Sequence, residues 1–178
     1  MSKAVMLSIR PKWVERIASG EKTIEVRKTR PKLQTPFKCY IYCTQGKDAR
    51  RLRGSWGKVI GEFTCDCITP LYNVCMDDWK RLAGGLHNIE KELVNQACLT
   101  EAQLHTYAGG KNCFAWHISD LRIYDEAREL SEFQRVTDPC DSCHAEYTWE
   151  CTDCKKLGSD IKRPPQSWYY VEAIKDAK

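Results

Sequence analysis

The sequence lacks any stretch of about 18 apolar residues, the length that a transmembrane helix requires. It also lacks the apolar segment of a secretory signal peptide, because Arg10 and Lys12 follow the short first strand at once. No internal repeat or low-complexity tract interrupts it. We therefore expect a cytoplasmic protein in a reducing compartment, with no membrane partner.

A strong charge of one sign is lacking as well. The chain has 28 Lys and Arg against 24 Asp and Glu, a formal net charge of +4 and a pI of about 8.4. This balance permits polyanion binding without establishing it, since dedicated nucleic-acid domains are often more basic. The length of 178 residues and the hydrophobic share of 42% predict one globular domain over residues 1–178.

Cysteine, by contrast, is abundant. Eleven cysteines in a reducing compartment need an explanation other than disulfides. Four of them form two C-x-x-C pairs separated by seven residues, and four thiolates are what a structural zinc ion binds. The alternative is reduced surface thiols or disulfides, and His144 offers a substitute ligand. We predict a structural zinc site in a Cys-rich insertion over residues 136–160, with the ligands Cys140, Cys143, Cys151 and Cys154.

The other seven cysteines lie in apolar or strand-like contexts. Free cysteine is among the most frequently buried residue types. We therefore interpret these seven as small buried hydrophobic residues; they are Cys39, Cys43, Cys65, Cys67, Cys75, Cys98 and Cys113.

Hydrophobic periodicity predicts more strands than helices. Apolar spacing over residues 11–19 predicts a helix that ends at Gly20, and Thr100 opens a second, capped helix that ends at Gly109. Strands are expected over residues 5–9, 22–28, 37–44, 58–72 (bent near Cys65), 112–124 and 167–174. Since βα alternation is absent, we predict an α+β domain with a closed or nearly closed sheet.

The stretch 20–27, G-E-K-T-I-E-V-R, carries the densest pattern of charges on a strand. Its alternation directs Ile24 and Val26 to the core and places Thr23, Glu25 and Arg27 together on the opposite, solvent-facing side. Alternation alone favours an ordinary surface Glu–Arg pair, which stabilises little. The other hypothesis is a ligand site.

The spacing Gly20-x-Lys22-x-x-Glu25-x-Arg27, after a strand and a short helix, resembles the signature of the ASCH domain family. Residues 7–11 (LSIRP) and 114–118 (FAWHI) resemble that family's first and penultimate strands, so the resemblance covers residues 3–130 and 161–174. It implies a small PUA-like β-barrel with flanking helices, into which the zinc-knuckle-like segment is inserted. It also implies an RNA-linked role and a cleft lined by Lys22, Glu25 and Arg27.

Some small bacterial relatives in that family are amidohydrolases that deacetylate N4-acetylcytidine with a Lys, a strand Thr and a Glu. Lys22 matches the Lys, but Glu25 stands where those relatives have the Thr, and Thr23 lies two residues away. Ribonuclease activity is also associated with the family. The resemblance thus implies, as an alternative, a hydrolase acting on a modified nucleoside or on RNA, with Lys22 and Glu25 as catalytic residues.

Other segments add candidate ligand contacts. The loop with Arg53 and Trp56 combines cations with an aromatic ring, as nucleotide-stacking surfaces do. Two prolines hold the approach to the last strand extended, so that its first residues could face a ligand; the alternative is a rigid connector. The candidate ligand-binding residues are Ser8, Arg10, Lys22, Thr23, Glu25, Arg27, Arg53, Trp56, Gln166, Ser167 and Trp168.

Three hypotheses follow for the function. The first is a module that binds RNA, a nucleotide or a modified nucleoside, in which Lys and Arg contact phosphate and Glu accepts from a base amino group. The second is the hydrolase, with Glu25 as general base. The third is a protein-interaction module that uses the zinc-stabilised segment.

Overall fold

The computed structural model describes residues 3–46, 53–71, 88–136 and 161–174. The described helices are α1 (Pro11–Ala18), α2 (Asn88–Gln96) and α3 (Glu101–Ala108). The strand-rich α+β class predicted from the sequence is confirmed. The described strands are β1 (Lys3–Ile9), β2 (Ile24–Arg27), β3 (Phe37–Cys43), β4 (Lys58–Cys65), β5 (Ile68–Leu71), β6 (Cys113–His117), β7 (Ser119–Arg128) and β8 (Trp168–Glu172).

The described strands form two sheets. The larger sheet has the order β7-β4-β3-β1-β8, and in it β1 runs parallel to β3 and antiparallel to β8. The smaller sheet has the order β2-β6-β5, and both of its pairings are antiparallel. In the smaller sheet Glu25 lies opposite Trp116, which in turn lies opposite Ile68.

The prediction of a closed or nearly closed sheet is wrong for these strands, because each of the two sheets ends in edge strands. The reason lies in the segment expected to be one bent strand over residues 58–72. The chain leaves β4 at Cys65, whose thiol donates to the Cys67 carbonyl at 3.4 Å. It then enters the other sheet as β5, paired with β6. The bend near Cys65 therefore separates two strands of different sheets.

The chain divides into two compact units. The first unit comprises Met1–Pro11, Phe37–Phe63 and Arg122–Lys178, and the second comprises Lys12–Pro36 and Thr64–Leu121. A core of buried residues in the first unit includes Met6, Tyr40 and Phe133. The core of the second unit packs Ile24 and Val26 of β2 with residues of α2, α3, β5 and β6, namely Leu71, Leu93, Val94, Ala97, Leu104, Ala108, Cys113 and Ala115.

The helix ends follow the predicted signals. Helix α1 begins at Pro11, buries Val14 and Ile17, and is followed by Gly20 at a φ of +78°, a left-handed conformation that glycine adopts without steric cost. Helix α3 begins with a capping box, in which the Thr100 hydroxyl accepts from the Gln103 amide and the Gln103 side chain accepts from the Thr100 amide.

The cysteines outside the C-x-x-C pairs follow the prediction in part. Cys39, Cys43, Cys65 and Cys113 are buried, and burial foremost, with the nearby Asp66 charge, raises the pKa of the Cys65 thiol to about 12. The prediction is wrong for Cys67, which is exposed, and Cys98 is half-buried. Cys75 lies outside the described residues. None of the described helices is long and apolar enough to cross a membrane.

The capping box of α3 can be tested by substitution. We expect Thr100→Ala to lower the free energy of unfolding by about 1 kcal/mol, because the Gln103 amide loses its bond to the Thr100 hydroxyl. The measurement is denaturant unfolding followed by circular dichroism. Thr106→Ala, the same change at an exposed position in the same helix, is the control and should shift stability by less than about 0.5 kcal/mol. Equal effects of the two substitutions would contradict the capping role.

Candidate functional site

Lys22 is the most deeply buried charged residue of the described chain, with 3% of its surface exposed. Its amide donates to the Arg16 carbonyl at 2.9 Å, so the chain turns back against α1 after Gly20. Its ammonium donates to the carbonyls of Ile24 (2.7 Å) and Ala97 (2.9 Å) and lies 3.3 Å from Oε2 of Glu25. An ammonium has three donors, and these three oxygens match them. Lys22 thus joins the start of β2 to the end of α2.

Glu25 lies between two cations. Its Oε2 faces Lys22, and its Oε1 is 3.0 Å from Nη2 of Arg27. Because they are two apart on β2, Glu25 and Arg27 share one sheet face, and both are buried. We call Lys22, Glu25 and Arg27 the ionic triad.

The alternation predicted for this strand is confirmed, but the prediction that its second face is exposed to solvent is wrong. Ile24 and Val26 do point to the core, yet Glu25 and Arg27 on the other face are also buried. Directly opposite them on β6 are Trp116, which is fully buried, and Phe114. A pair with both partners in water stabilises little, whereas removing one partner from a buried set is costly. The ionic triad is therefore an energetically important feature and not a surface pair.

Trp13 places a ring beside the ionic triad. The Lys22 ammonium lies 5.2 Å from the centre of its ring, and two exposed cations of α1 approach the same indole, Lys12 at 4.5 Å and Arg16 at 5.7 Å. Cations within about 6 Å of a tryptophan ring are attracted by its quadrupole. We call Trp13 with Lys12, Arg16 and Lys22 the Trp13 cluster; Lys22 belongs to it and to the ionic triad.

Tyr107 of α3 is influenced by the same charges. Burial of the hydroxyl raises the pKa of Tyr107; the Arg27 charge opposes this rise and the Glu25 charge adds to it. The side chain as a whole is nevertheless 40% exposed, with the Lys28 ammonium 5.3 Å from the ring centre. A tyrosine can bury its polar tip while one face of its ring stays in water.

No sequence motif points to Trp13, Tyr107 or Lys28. Trp13 matches the apolar spacing that predicts α1, and in the structure it is half-buried. A signal was present in the cations at positions 12 and 16, which flank it on one helix face. Tyr107 is three residues after the buried Leu104, so helical spacing places it beside the buried stripe and gives no signal of its exposure.

The structure brings together Lys22, Glu25 and Arg27, as the resemblance implied. Thr23 is exposed, and its main chain joins neighbouring elements: the amide donates to Gln96 and the carbonyl accepts from Ile118. His117 of β6 bonds through Nε2 to Thr69 Oγ1 at 3.1 Å, which is a cross-strand contact within the smaller sheet.

The remaining candidate residues belong to the first unit. The Ser8 hydroxyl donates to the Pro165 carbonyl at 2.6 Å, and the Ser8 amide donates to Ser167 at 3.1 Å. These bonds hold the proline segment against β1, so Ser8 and Ser167 are brought together. Trp168 begins β8 opposite Leu7 and is half-buried, whereas Arg10 and Gln166 are exposed.

Arg53 and Trp56 lie just before β4. Arg53 opens a 3₁₀ turn over Arg53–Ser55, and the Gly57 amide after it donates to the Cys43 carbonyl at 2.8 Å. Trp56 is half-buried, and its indole nitrogen is buried with no hydrogen-bond partner among the residues that the structure describes. The predicted zinc ligands between positions 140 and 154 lie outside those residues. Within them, no group of three or more His, Cys, Asp or Glu is placed to hold a metal.

The first unit has a polar cluster of its own. Glu62 of β4 is buried, and its two carboxylate oxygens accept from Lys38 at 3.0 Å and from the Tyr124 hydroxyl at 2.7 Å. Burial, followed by the bond to Glu62, raises the pKa of Tyr124, so the phenol stays protonated. The three residues lie on the neighbouring strands β3, β4 and β7, and we interpret the cluster as a cross-strand support of the larger sheet.

Comparisons with known proteins give a family and a fold. A model of the ASCH domain matches residues 7–175. The crystal structure of ASCH from Zymomonas mobilis is similar with a TM-score of 0.59 and 19% identity, over 95% of this chain and 87% of that chain. A tyrosine-to-phenylalanine mutant of the Zymomonas mobilis protein matches with a TM-score of 0.56 and 20% identity, over 96% of this chain and 91% of that one. At such identities the likeness establishes the fold alone. A search of curated proteins found no match.

The energetic weight of the ionic triad can be measured. Glu25→Gln should lower the free energy of unfolding by about 3–5 kcal/mol, because two buried cations lose the charge that compensates them. The measurement is urea unfolding monitored by fluorescence. The control is Glu129→Gln, which breaks the 2.7 Å pair with Lys58 at an exposed position and should cost less than about 1 kcal/mol. A loss below about 1 kcal/mol for Glu25→Gln would contradict the role given to the triad.

Proposed function

This chain belongs to the ASCH domain family, and from this membership and the charges gathered at β2 and α1 we propose that it binds RNA or a nucleotide-like ligand. The family is associated with RNA. In our proposal the ligand is anionic and contacts the second unit at the exposed part of the Trp13 cluster. The buried ionic triad lies next to that cluster, which shares Lys22 with it. Modified nucleosides within RNA belong to the same ligand class.

The observation that carries the proposal is the concentration of cations around one carboxylate and one indole. Four cations, Lys12, Arg16, Lys22 and Arg27, contact either Glu25 or the Trp13 ring. Three charged side chains described in the second unit are buried, two of them cations and one a carboxylate. A phosphate group at the exposed Lys12 and Arg16 would add a negative charge beside these cations.

The exposed members of the set suit phosphate better than they suit a neutral ligand. Lys12 and Arg16 are exposed on one face of α1, one turn apart, and each keeps a charged head in water beside the indole. Arg presents a planar fork that matches phosphate oxygens, and Lys acts as a point charge. With a net charge of only +4 on the whole chain, local clustering must supply the attraction.

Turnover is less well supported than binding. A general base needs a carboxylate oxygen that can accept the substrate's proton, but both oxygens of Glu25 face cations at 3.0 and 3.3 Å. The three donors of Lys22 are directed at protein oxygens as well. The hydrolase alternative therefore requires the ionic triad to open when substrate binds. The protein-interaction alternative depends on residues 136–160, of which 137–160 lie outside the described part of the chain.

RNA binding is tested by fluorescence anisotropy with labelled single-stranded and hairpin RNA between about 50 and 200 mM salt. We expect affinity to fall linearly on logarithmic axes as salt rises. The double variant Lys12→Gln/Arg16→Gln should bind about tenfold more weakly and reduce the salt slope by about 2, since each lost phosphate contact removes about 1.

The matched control is Lys3→Gln/Arg135→Gln in the first unit. These exposed cations also lie over aromatic rings, Lys3 at 5.5 Å from Tyr170 and Arg135 at 5.1 Å from Tyr169, so the same charge is lost in a similar setting. The control should bind like the unmodified chain. An unmodified chain that binds neither RNA at low salt would refute the proposal. Equal losses in both double variants would assign the attraction to net charge alone.

We also propose, from cysteine spacing alone, that Cys140, Cys143, Cys151 and Cys154 hold one structural zinc ion. The chain purified without chelator should contain about one zinc per molecule by atomic spectroscopy. Cys143→Ser/Cys154→Ser should lose it, while Cys67→Ser, at an exposed cysteine outside the pairs, should keep it. A chain that lacks zinc and takes up none when zinc is added would overturn this proposal.

A further inference from the structure

Tyr107 is unusual among the described side chains because it is a large ring left in water. Of the described residues, only Tyr107 and Ile123 are large hydrophobic side chains that are exposed, each to 40%. Single exposed apolar side chains are common, so exposure alone indicates nothing. The surroundings of the Tyr107 ring distinguish it.

Tyr107 lies on a helix that is capped at both ends. Helix α3 is fixed at its start by the capping box of Thr100 and Gln103, and it ends at Gly109, whose φ is +56° and whose amide donates to the His105 carbonyl. Leu104 and Ala108, which flank Tyr107 in sequence, are buried in the core of the second unit. The ring is therefore held at a defined place on the surface.

The hydroxyl end of the ring is turned away from solvent. Burial raises the pKa of the Tyr107 hydroxyl, and the Arg27 and Glu25 charges act on that pKa in opposite directions. The buried tip therefore lies within the electrostatic reach of the ionic triad, while the exposed part of the ring is turned to solvent. Such a ring presents a flat surface with little freedom left to lose on binding a ligand.

A cation lies at the ring, and a second cation lies over an aromatic ring of β6. The Lys28 ammonium lies 5.3 Å from the Tyr107 ring centre, and the Arg30 guanidinium lies 5.9 Å from the ring centre of Phe114. Neither residues 26–36 nor residues 102–119 contain an Asp or a Glu. A Cβ added at Gly110 would have no atom of the described residues within 4 Å, so the space next to this glycine, after the end of α3, is open.

We propose that the Tyr107 ring is a stacking platform for an unpaired base of single-stranded RNA, and that Lys28 contacts the adjoining phosphate. This inference rests on the proposed function and specifies the form of RNA. Stacking of a base on an aromatic side chain is tolerant of sequence. A base inside an A-form duplex is already stacked on both sides, so a protein ring accepts only bases from single strands, loops or ends.

Lys28 has to move when a base stacks on the Tyr107 ring. Its ammonium lies over the ring, at the place where the base would lie. An arriving base displaces the ammonium, and the long flexible side chain allows it to move to a phosphate oxygen of the same nucleotide. Lys28→Gln should therefore weaken the binding of single-stranded RNA and lower its salt slope by about 1.

The test compares single-stranded RNA with a blunt duplex of the same sequence, using the full chain and three variants. Tyr107→Ala should weaken binding of the single strand by about tenfold or more and leave duplex affinity unchanged. Tyr107→Phe, which keeps the ring, should bind the single strand within about twofold of the unmodified chain, because stacking does not need the hydroxyl. Ile123→Ala removes an equally exposed apolar side chain from the first unit and should change neither affinity.

The outcomes separate this inference from the proposal beneath it. Single-strand binding that is lost in Lys12→Gln/Arg16→Gln but unchanged in Tyr107→Ala would overturn the stacking platform and leave the proposed function intact. An equal loss of single-strand and duplex affinity in Tyr107→Ala would also overturn it. Absence of RNA binding by the unmodified chain would refute both. Circular dichroism of each variant verifies that the fold is retained.

Discussion

The organisation of the second unit depends on the Glu25 carboxylate, because it compensates two cations that have been removed from water. Each such cation loses several kcal/mol of hydration, and only close, well-placed oxygens offset that loss. Lys22 connects this carboxylate to a distant part of the chain, since its ammonium also donates to the carbonyl of Ala97, the residue after α2. One acidic side chain thereby fixes the start of β2, the end of α2 and the position of Arg27.

Much of this fold follows from local chemistry, and what was missed is non-local. Gly20 and the Thr100 capping box marked helix ends correctly, because caps depend on a few adjacent residues. The sheet assignment failed at Cys65–Ile68, because strand order depends on partners distant in the chain. Glu25 and Arg27 were expected in solvent, because a period of two identifies opposite faces without saying what covers each one.

The grouping of the three charged residues was predicted, but their burial was not. Residue spacing brought Lys22, Glu25 and Arg27 into one group, yet the contact with Ala97, 75 positions away, could not be seen in the sequence. Because of that contact and the two short ion pairs, the three side chains form a closed set of charges, whereas they were expected to line an open cleft. In our proposal the triad supplies orientation and electrostatic potential, and the exposed cations and rings beside it contact the ligand.

The division of the chain into interleaved segments has a consequence for how this protein can be altered. The backbone passes between the two compact units after Pro11, Pro36, Phe63 and Leu121, so neither unit is one continuous piece of sequence. No single cut in the gene releases either of them. A truncation from either end that reaches into residues 12–121 removes parts of both units, so the proposed RNA binding has to be mapped by substitution and not by truncation.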